Sequence, residues 1–357
     1  MNNELIGKHK TEVDTPALLL DMDAVERNIT RMAAFFAGRD CKLRPHFKTH
    51  KLPIIARKQM ESGAVGITCA TVNEAEILLR SGLKEVLIAN EVVRGSKIRR
   101  MLELADLGNL IVCVDNYENA RDISRAAASC GGKMDVLVEV NVGLDRCGVG
   151  PGKPALELAE KVSSLENANF RGLMGYEGGL FIDARDKEGK CRECNSLLVE
   201  TSRLLRDSGL PVEIVSAGGS NTYCLTGVYP GITEIQPGSY VTMDSFNASH
   251  GLDFEQAITV IATVISRPEK DRAIIDAGIK AISTDHGLPS LTQPGLELYA
   301  LNEEHGRVSV KDPGRDLAVG DKIEIAPSHG CTTIGLYRSY VLIRGEYVEG
   351  TADISGR

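Results

Sequence analysis

A short basic segment near the start of the chain, LRPHFKTHK, brings together residue types that can supply a nucleophile. It covers residues 43 to 51 and contains, in chain order, Arg44, His46, Lys48, His50 and Lys51. Positive charge close to a lysine ammonium lowers its pKa and so favours a nucleophilic amine. The spacing does not choose between Lys48 and Lys51, and a solvated basic turn would have the same composition.

Two later segments could bind phosphate, because glycines expose backbone N–H groups and hydroxyl side chains add short donors. The first, VSAGGSNTY, contains the candidates Ser216, Gly218, Gly219, Ser220 and Asn221. The second, EIQPGSY, contains Gln236, Gly238, Ser239 and Tyr240. Each segment alone is also compatible with an ordinary turn.

Two further motifs could bind a metal ion. In APSHGCTT, alternation along an extended chain would place His329 and Cys331 on one face, where an imidazole and a thiolate could share a cation. A buried histidine beside a buried thiol is the alternative. The CxxC pair Cys191 and Cys194 has no second pair and lies in a long polar helical stretch, which favours a structural role.

These motifs must be positioned by a regular alternation of β-rich runs and amphipathic helical stretches. The stretches Thr71–Gly82 and Asn116–Ser129 are typical of the helices. Eight strands, each followed by a helix or helical turn, predict a (β/α)₈ TIM barrel with its reactive groups at the carboxyl ends of the strands. The predicted strands are Lys42–His46, Gly66–Ala70, Val86–Asn90, Leu110–Val114, Asp135–Val142, Phe170–Tyr176, Val212–Ser216 and Thr233–Pro237.

After about residue 256 the pattern changes to alternating and fully apolar strands, such as AITVIATVIS and YVLIRGEYVEG, separated by polar turns. The sequence therefore predicts a barrel domain over residues 22–255 and a β-domain formed by residues 1–21 and 256–357. The early run PALLLDMD could pair with either part.

Composition excludes several classes of partner. The formal net charge of −8 and the lack of a basic block argue against a nucleic-acid-binding protein. No apolar run approaches the roughly 20 residues that span a bilayer, and the first residues lack the apolar core of a signal peptide. Nine scattered cysteines fit reduced thiols. We therefore expect a cytoplasmic protein that acts on small molecules.

Several motifs, in consistent order from about residue 14 to the C-terminus, resemble one enzyme family. They are RPHFKTHK, EVNVGLDRCGVG, GYEGG, EIQPGSY followed by MD, DAGIKAISTDHGLP, NEEHG and the final His-x-Cys. The chain is similar to the metal-activated D-threonine aldolases and to their relatives, the D-3-hydroxyaspartate aldolases and the D-serine dehydratases. The resemblance implies an alanine-racemase-type barrel plus a C-terminal β-domain.

The resemblance also implies roles for individual residues. Pyridoxal 5′-phosphate (PLP) would be bound covalently to Lys48, with Arg146 near its phenolic oxygen and Tyr176 facing its ring. Gln236 occupies the place where alanine racemases carry an arginine against the ring nitrogen. The two glycine-rich segments would hold the phosphate. His329 and Cys331 match the metal-binding pair.

The implied reaction is cleavage of a D-3-hydroxy amino acid, of the D-threonine or D-3-hydroxyaspartate type, to glycine and an aldehyde. A divalent metal would act on the β-hydroxyl as a Lewis acid, and thiolate plus imidazole suits zinc better than manganese. His305 and His50 are the candidate bases, while His286 is expected to be structural.

Other functions remain open at this point. The His-x-Cys ending is that of D-serine dehydratases, since the aldolases usually end in His-x-Asp, and it implies β-elimination to a keto acid and ammonia as the alternative. A non-catalytic PLP-binding protein would lack the second domain and the metal pair, and a racemase would need a second acid/base group opposite Lys48. By analogy with the same architecture, a homodimer is expected.

Overall fold

The computed structural model describes residues 3–179, 186–312 and 317–356. The chain divides into two compact units, called here the barrel unit (Met32–Gly238 and Gly356–Arg357) and the sheet unit (Met1–Arg31 and Ser239–Ser355). The limits of 22–255 for the barrel domain stay a prediction, since a compact unit is defined by packing and a domain by independent folding.

The strands and helices of the described residues are numbered in chain order. The strands are β1 (Ala17–Asp21), β2 (Lys42–Leu43), β3 (Ile67–Cys69), β4 (Glu85–Glu91), β5 (Asn109–Val114), β6 (Met134–Glu139), β7 (Ala168–Met174), β8 (Ile214–Ala217), β9 (Glu234–Ile235), β10 (Ile258–Glu269), β11 (Arg272–Ile275), β12 (Ser290–Leu291), β13 (Leu296–Leu301), β14 (Gly306–Val310), β15 (Lys322–Ala326), β16 (Ser339–Arg344) and β17 (Tyr347–Asp353). The helices are α1 (Met22–Phe36), α2 (Pro53–Glu61), α3 (Val72–Arg80), α4 (Gly95–Glu103), α5 (Tyr117–Ser129), α6 (Lys153–Ser163), α7 (Lys187–Asp207), α8 (Tyr223–Thr226), α9 (Ser245–Ser249) and α10 (Gly330–Ile334).

The barrel unit contains a parallel sheet of eight strands in the order β2-β9-β8-β7-β6-β5-β4-β3. Backbone hydrogen bonds close it between its two ends: Phe47 N donates to Thr68 O at 2.8 Å, and Thr68 N donates to Pro45 O at 2.9 Å. All eight predicted strands overlap these strands, so the predicted barrel is confirmed.

Local sequence explains why the barrel's helices begin where they do. The side chain of Thr71 caps α3 by accepting from the Glu74 N–H, and that of Asn116 caps α5 by accepting from the Glu118 and Asn119 N–H groups.

Inside the barrel, apolar side chains of neighbouring strands pack together. This inner cluster contains Leu87, Ile111, Cys113, Leu137 and Met174. The barrel interior is therefore a packed core that fixes the strand ends.

A glycine on β7 allows a close contact with β8. Gly172 has φ +144°, and a Cβ built there would lie 1.9 Å from the carbonyl oxygen of Ile214. We expect Gly172→Ala to lower the free energy of unfolding by about 3 kcal/mol or more, because backbone must move to admit the methyl group. Gly132→Ala is the control, since nothing lies within 4 Å of its Cβ position. Urea unfolding of both variants measures the difference, and equal stability would contradict the expectation.

The sheet unit carries a nine-stranded sheet whose main path runs β13-β14-β11-β10-β1-β16-β17, with β15 paired to both β10 and β12. β1 is antiparallel to β10 and parallel to β16. The run PALLLDMD thus pairs within this sheet. A buried cluster holds its centre together, formed by Val13, Leu19, Ile261, Val341, Ile343 and Val348. The predicted C-terminal β-domain pattern is confirmed.

In the described part of the chain, no helix combines the length and apolarity that a membrane crossing requires.

Candidate functional site

Lys48 lies at the carboxyl end of the barrel strands. His46, just after β2, forms a parallel bridge with Thr68 of β3, and the chain then turns, with Lys51 N donating to Phe47 O at 2.9 Å. The turn places Lys48 Nζ 5.7 Å from the centre of the Tyr176 ring. The amine therefore faces an aromatic surface at the strand ends, where barrel enzymes place reactive groups.

Lys51 is held in a different set of contacts. Its backbone has φ +55°, its Nζ lies 3.1 Å from Glu74 Oε1, and it also donates to Gly356 O at 3.2 Å. The Glu74 side chain is only 3% exposed, so this ion pair is largely removed from water. The geometry thus separates the two lysines that spacing could not.

Acidic residues compensate two of the cations expected around Lys48. Arg44 is buried and donates from Nε to Glu234 at 2.9 Å, and Lys51 is paired with Glu74. Burial, with Lys48 nearby, lowers the pKa of His46 well below its usual value, and burial lowers the pKa of His50 to about 3. Both imidazoles are therefore neutral at physiological pH.

These neutral histidines shape the turn through their ring nitrogens. His46 Nδ1 accepts from the Lys48 backbone N–H at 3.3 Å, and His50 Nδ1 accepts from the Leu52 N–H at 3.1 Å. His50 is fully buried against Phe47. Its burial and low pKa make it a poor proton acceptor.

Arg146 also lies near the Tyr176 ring. Its guanidinium carbon is 5.3 Å from the centre of the Tyr176 ring, and its Nη2 is 3.8 Å from Glu139 Oε1. The structure thus brings Lys48, Tyr176 and Arg146 together, as the resemblance implied.

The loop after β8 makes a tight turn of backbone donors. Gly218 has φ +71°, its N–H donates to Glu177 Oε2 at 3.2 Å, and the Gly219 N–H donates to Thr222 Oγ1 at 3.1 Å. Ser216 and Ser220 are buried in the same segment. A Cβ on Gly219 would lie 3.4 Å from the Tyr176 ring. Glycine at this position therefore keeps open the space beside the ring.

The loop after β9 approaches the Lys48 segment closely. A Cβ on Gly238 would lie 2.5 Å from Thr49 Oγ1 and 3.3 Å from His46 Cβ, so only glycine fits without rearrangement. Gln236 Nε2 donates to Ser216 Oγ at 2.8 Å, which joins the two loops. Ser239 and Tyr240 begin a short helical turn in the sheet unit. Tyr240 is fully buried there, with its ring 5.5 Å from Phe254.

Glu177 is a site residue that sequence reasoning missed. It is 1% exposed and receives hydrogen bonds from the Gly218 N–H and from the hydroxyls of Thr222 and Thr226. Burial raises the pKa of Glu177, while these hydrogen bonds oppose the increase. The available signal was an acidic residue in GYEGG, directly after Tyr176. Through these hydrogen bonds, Glu177 holds the loop that follows β8 in its observed shape.

The sheet unit contains a second cluster, called here the His329 cluster (Asp285, His286, His329 and Cys331). One ligating atom each of Asp285, His286 and His329 lies within 4.8 Å of the others. His329 Nδ1 is 2.6 Å from Asp285 Oδ2, and the His286 ring stacks on His329 with centroids 4.1 Å apart. Burial lowers the pKa of His329, but hydrogen bonds with Cys331 and Asp285 raise it to about 9.

One expectation about this cluster needs correction. His329 and Cys331 do not alternate along an extended chain, because α10 begins directly after His329 and includes Cys331. They are nevertheless hydrogen-bonded to each other. A nitrogen of His286 lies within 4.8 Å of the ligating atoms of His329 and Asp285, and the structural role expected for His286 stays a prediction. The sequence signal for Asp285 was its place beside His286 in STDHG.

The remaining candidates lie elsewhere. His305 is exposed in the turn between β13 and β14, where the Asn302 N–H donates to its carbonyl oxygen at 2.8 Å. Cys191 and Cys194 are both buried on α7. The Cys194 thiol donates to Val142 O at 2.9 Å, and burial raises its pKa to about 12. This pair thus packs as small apolar groups, in keeping with the structural role expected for it.

Comparison with known proteins gives matches over nearly the whole chain. The family model described as "Alanine racemase, N-terminal domain" matches residues 20–246, and the one described as "Putative serine dehydratase domain" matches residues 257–343. A D-threonine aldolase from an Arthrobacter species is 37% identical, over 98% of this chain and 94% of that protein. A 3-hydroxy-D-aspartate aldolase from Paracoccus denitrificans (strain Pd 1222) is 34% identical, over 99% and 94%.

A solved structure agrees with these matches. The crystal structure of D-threonine aldolase from Filomicrobium marinum superposes with a TM-score of 0.95 at 37% identity, covering 99% of this chain and 97% of the other. The chain therefore belongs to the family of alanine-racemase-type, PLP-dependent lyases that includes the D-threonine aldolases, the 3-hydroxy-D-aspartate aldolases and the D-serine dehydratases.

Proposed function

We propose that this chain is a PLP- and divalent-metal-dependent aldolase that cleaves D-3-hydroxy amino acids, of the D-threonine or D-3-hydroxyaspartate type, to glycine and an aldehyde. The observation that carries the proposal is the Lys48 amine, 5.7 Å from the Tyr176 ring centre at the carboxyl end of a barrel whose relatives include two such aldolases. A non-catalytic PLP-binding protein would not require the His329 cluster or a second unit.

The residues of the barrel unit fit PLP. Gly219 and Gly238 stand where added Cβ atoms would fill the space beside Tyr176 and beside Thr49. In this proposal Lys48 would hold the cofactor covalently, Arg146 would lie near its phenolic oxygen and Tyr176 would face its ring. The phosphate is bound by Ser216, Gly218, Gly219, Ser220 and Asn221 together with Gly238, Ser239 and Tyr240.

When bound, PLP supplies an electron sink for the pair of electrons released at Cα of the substrate. Gln236 is a neutral amide that already donates to Ser216, so it cannot hold the ring nitrogen protonated as a carboxylate would. The sink is therefore weak and the reaction needs further help. With PLP bound, Lys48 would be the group placed to hold or deliver a proton at Nζ.

The donor set of the His329 cluster fits a divalent cation. We propose His329 and Cys331 as ligands, with Asp285 and His286 beside them, and zinc as the metal because nitrogen and sulfur donors suit it. Such a metal supplies Lewis-acid activation of the substrate's β-hydroxyl. Of the predicted bases, we propose His305 over His50, because His50 is buried and its pKa is lowered to about 3.

A second candidate function is dehydration of D-serine or D-3-hydroxyaspartate to a keto acid and ammonia. Cys331 and the serine dehydratase description of residues 257–343 favour it. In that reaction the Cα proton leaves and hydroxide departs, whereas the aldolase breaks the Cα–Cβ bond. Both reactions use the same residues, so products must decide.

The products from D-threonine and D-3-hydroxyaspartate separate the two functions. We expect glycine and an aldehyde in equal amounts, measured by amino-acid chromatography and by aldehyde derivatisation. The Lys48→Ala variant is the control for contaminating activity. Ammonia and a keto acid without glycine would replace the aldolase proposal by the dehydratase.

We also propose that the protein is a cytoplasmic homodimer. All nine cysteines lie in the described part of the chain and none forms a disulfide, which is typical of a reducing compartment. Sedimentation equilibrium of the purified protein tests the dimer.

A further inference from the structure

A carboxyl cluster without an assigned role lies at the carboxyl end of the barrel strands. Glu91 ends β4, Glu139 ends β6, and Cys147 follows on the loop after β6. One oxygen of each glutamate and the Cys147 sulfur lie within 4.8 Å of one another. Glu139 is 3% exposed. Two carboxyl groups this close in a buried place are strongly coupled, because both cannot be ionised at low cost.

The surroundings favour one proton on the pair at neutral pH. Burial and then the nearby Glu91 raise the pKa of Glu139 to about 8, against the opposing charge of Arg146. Glu91 Oε1 is buried and has no hydrogen-bond partner among the described residues. A second negative charge would therefore have little solvation available to it.

The groups that face Glu139 are few. They are Glu91 from β4, Asp115 from the end of β5, and Arg146 from the loop that follows β6. The thiols of Cys113 and Cys147 also lie nearby, and burial raises the pKa of both, to about 11 for Cys147. Both thiols are thus neutral, and Arg146 is the one cation among these groups.

Arg146 extends from a loop whose backbone is held rigidly. Asn141 Oδ1 accepts from the Gly143 and Asp145 N–H groups, at 3.0 and 3.1 Å, and the Gly148 N–H donates to Asp115 Oδ2 at 3.1 Å. The Arg146 side chain is 49% exposed, and its ends reach towards both Glu139 and the Tyr176 ring. The half-exposed Arg146 side chain therefore lies between a buried carboxyl group and an aromatic ring.

We propose that Glu139 and Glu91 form a proton-sharing carboxyl pair that positions Arg146 against the cofactor ring. This inference rests on the proposed function, and Glu139 is a positioning residue, since it acts through Arg146. With one proton the pair carries a single negative charge, and Arg146 stays between Glu139 and Tyr176. When the proton is lost, the second negative charge attracts the Arg146 guanidinium towards Glu139 and away from the Tyr176 ring and the cofactor.

Replacing either glutamate by glutamine tests the pair. Glu139→Gln and Glu91→Gln each limit the pair to at most one negative charge, so the variants should behave at high pH as the unchanged protein does at neutral pH. In the holoenzyme, the visible absorbance of the bound cofactor is recorded from pH 6 to 10 together with kcat and KM. We expect the transition near pH 8 to disappear or to move by about one pH unit or more in both variants.

Glu85→Gln is the matched control, because Glu85 begins β4 at the opposite end from Glu91. It should leave the transition unchanged. A merely structural role for Glu139 predicts loss of activity at every pH, whereas the carboxyl pair predicts activity retained at pH 7 and improved at pH 9. Asp115→Asn should move the transition less than either glutamine variant does, because Asp115 is not one of the two paired carboxyl groups.

The outcomes separate this inference from the proposed function. An unchanged transition in Glu139→Gln overturns the carboxyl pair while leaving the cofactor assignment intact. If Glu139→Gln does not fold, Glu91→Gln decides, and an unchanged transition there overturns the pair as well. A purified protein with no cofactor band sensitive to Lys48→Ala would instead end the proposed function, and this inference with it.

Discussion

Lys48→Ala is expected to abolish both turnover and the visible absorbance of bound cofactor, whereas Lys51→Ala should keep both. The Lys48 amine faces the Tyr176 ring, while the Lys51 amine is committed to Glu74 and to the carbonyl of Gly356. Loss of the covalent attachment removes the residue on which the whole reaction depends, so the fall in kcat/KM should be about 10³-fold or more. Absorbance spectra after gel filtration measure cofactor retention directly.

Lys51→Ala is the control, since it should lower the free energy of unfolding without removing the cofactor. The Glu74 side chain is 3% exposed and would lose its cation, which should cost about 2 kcal/mol of unfolding free energy. Thermal unfolding of both variants distinguishes a lost cofactor from a damaged barrel. Retention of the band in Lys48→Ala with its loss in Lys51→Ala would reverse the assignment of the two lysines.

The barrel could be predicted because its signals are local. Strand patterns recur along the chain, and caps such as Thr71 and Asn116 mark where helices begin. The glycine loops were found from their residue types and Arg146 through the resemblance, and the structure brings Arg146 to the Tyr176 ring. Each of these features is encoded within a few residues of sequence.

Charge compensation was not predictable, because it joins residues far apart in sequence. Arg44 is paired with Glu234 of the neighbouring strand β9, which composition alone does not reveal. Asp285 meets His329 only through the tertiary fold of the sheet unit. The pairing of Glu91 with Glu139 depends in the same way on which strand ends become neighbours. The local sequence pattern predicts the strands and helices, whereas tertiary contacts decide which side chains are charged.

Removing the metal should abolish turnover and leave the cofactor bound. The proposed ligands lie in the sheet unit and Lys48 lies in the barrel unit, so each group is held by its own residues. Without Lewis-acid activation of the β-hydroxyl, several kcal/mol of transition-state stabilisation are lost, a decrease on the order of 10³-fold in kcat. Dialysis against a chelator, followed by absorbance, metal analysis and assay with D-threonine, measures all three properties. Full activity in the metal-free protein would contradict the proposed role.

Asp285→Ala gives the same prediction a residue-level test. Asp285 accepts a hydrogen bond from His329 and is also bonded to Ser283 and Thr332, so it orients the imidazole whether or not it binds the metal itself. Loss of such a partner lowers metal affinity by about 10–100-fold. Glu297→Gln, an exposed ion-pair residue of the same unit, is the matched control and should bind metal normally. Since metal content is measured apart from turnover, an Asp285→Ala protein that keeps its affinity would place the metal elsewhere, even if its activity falls.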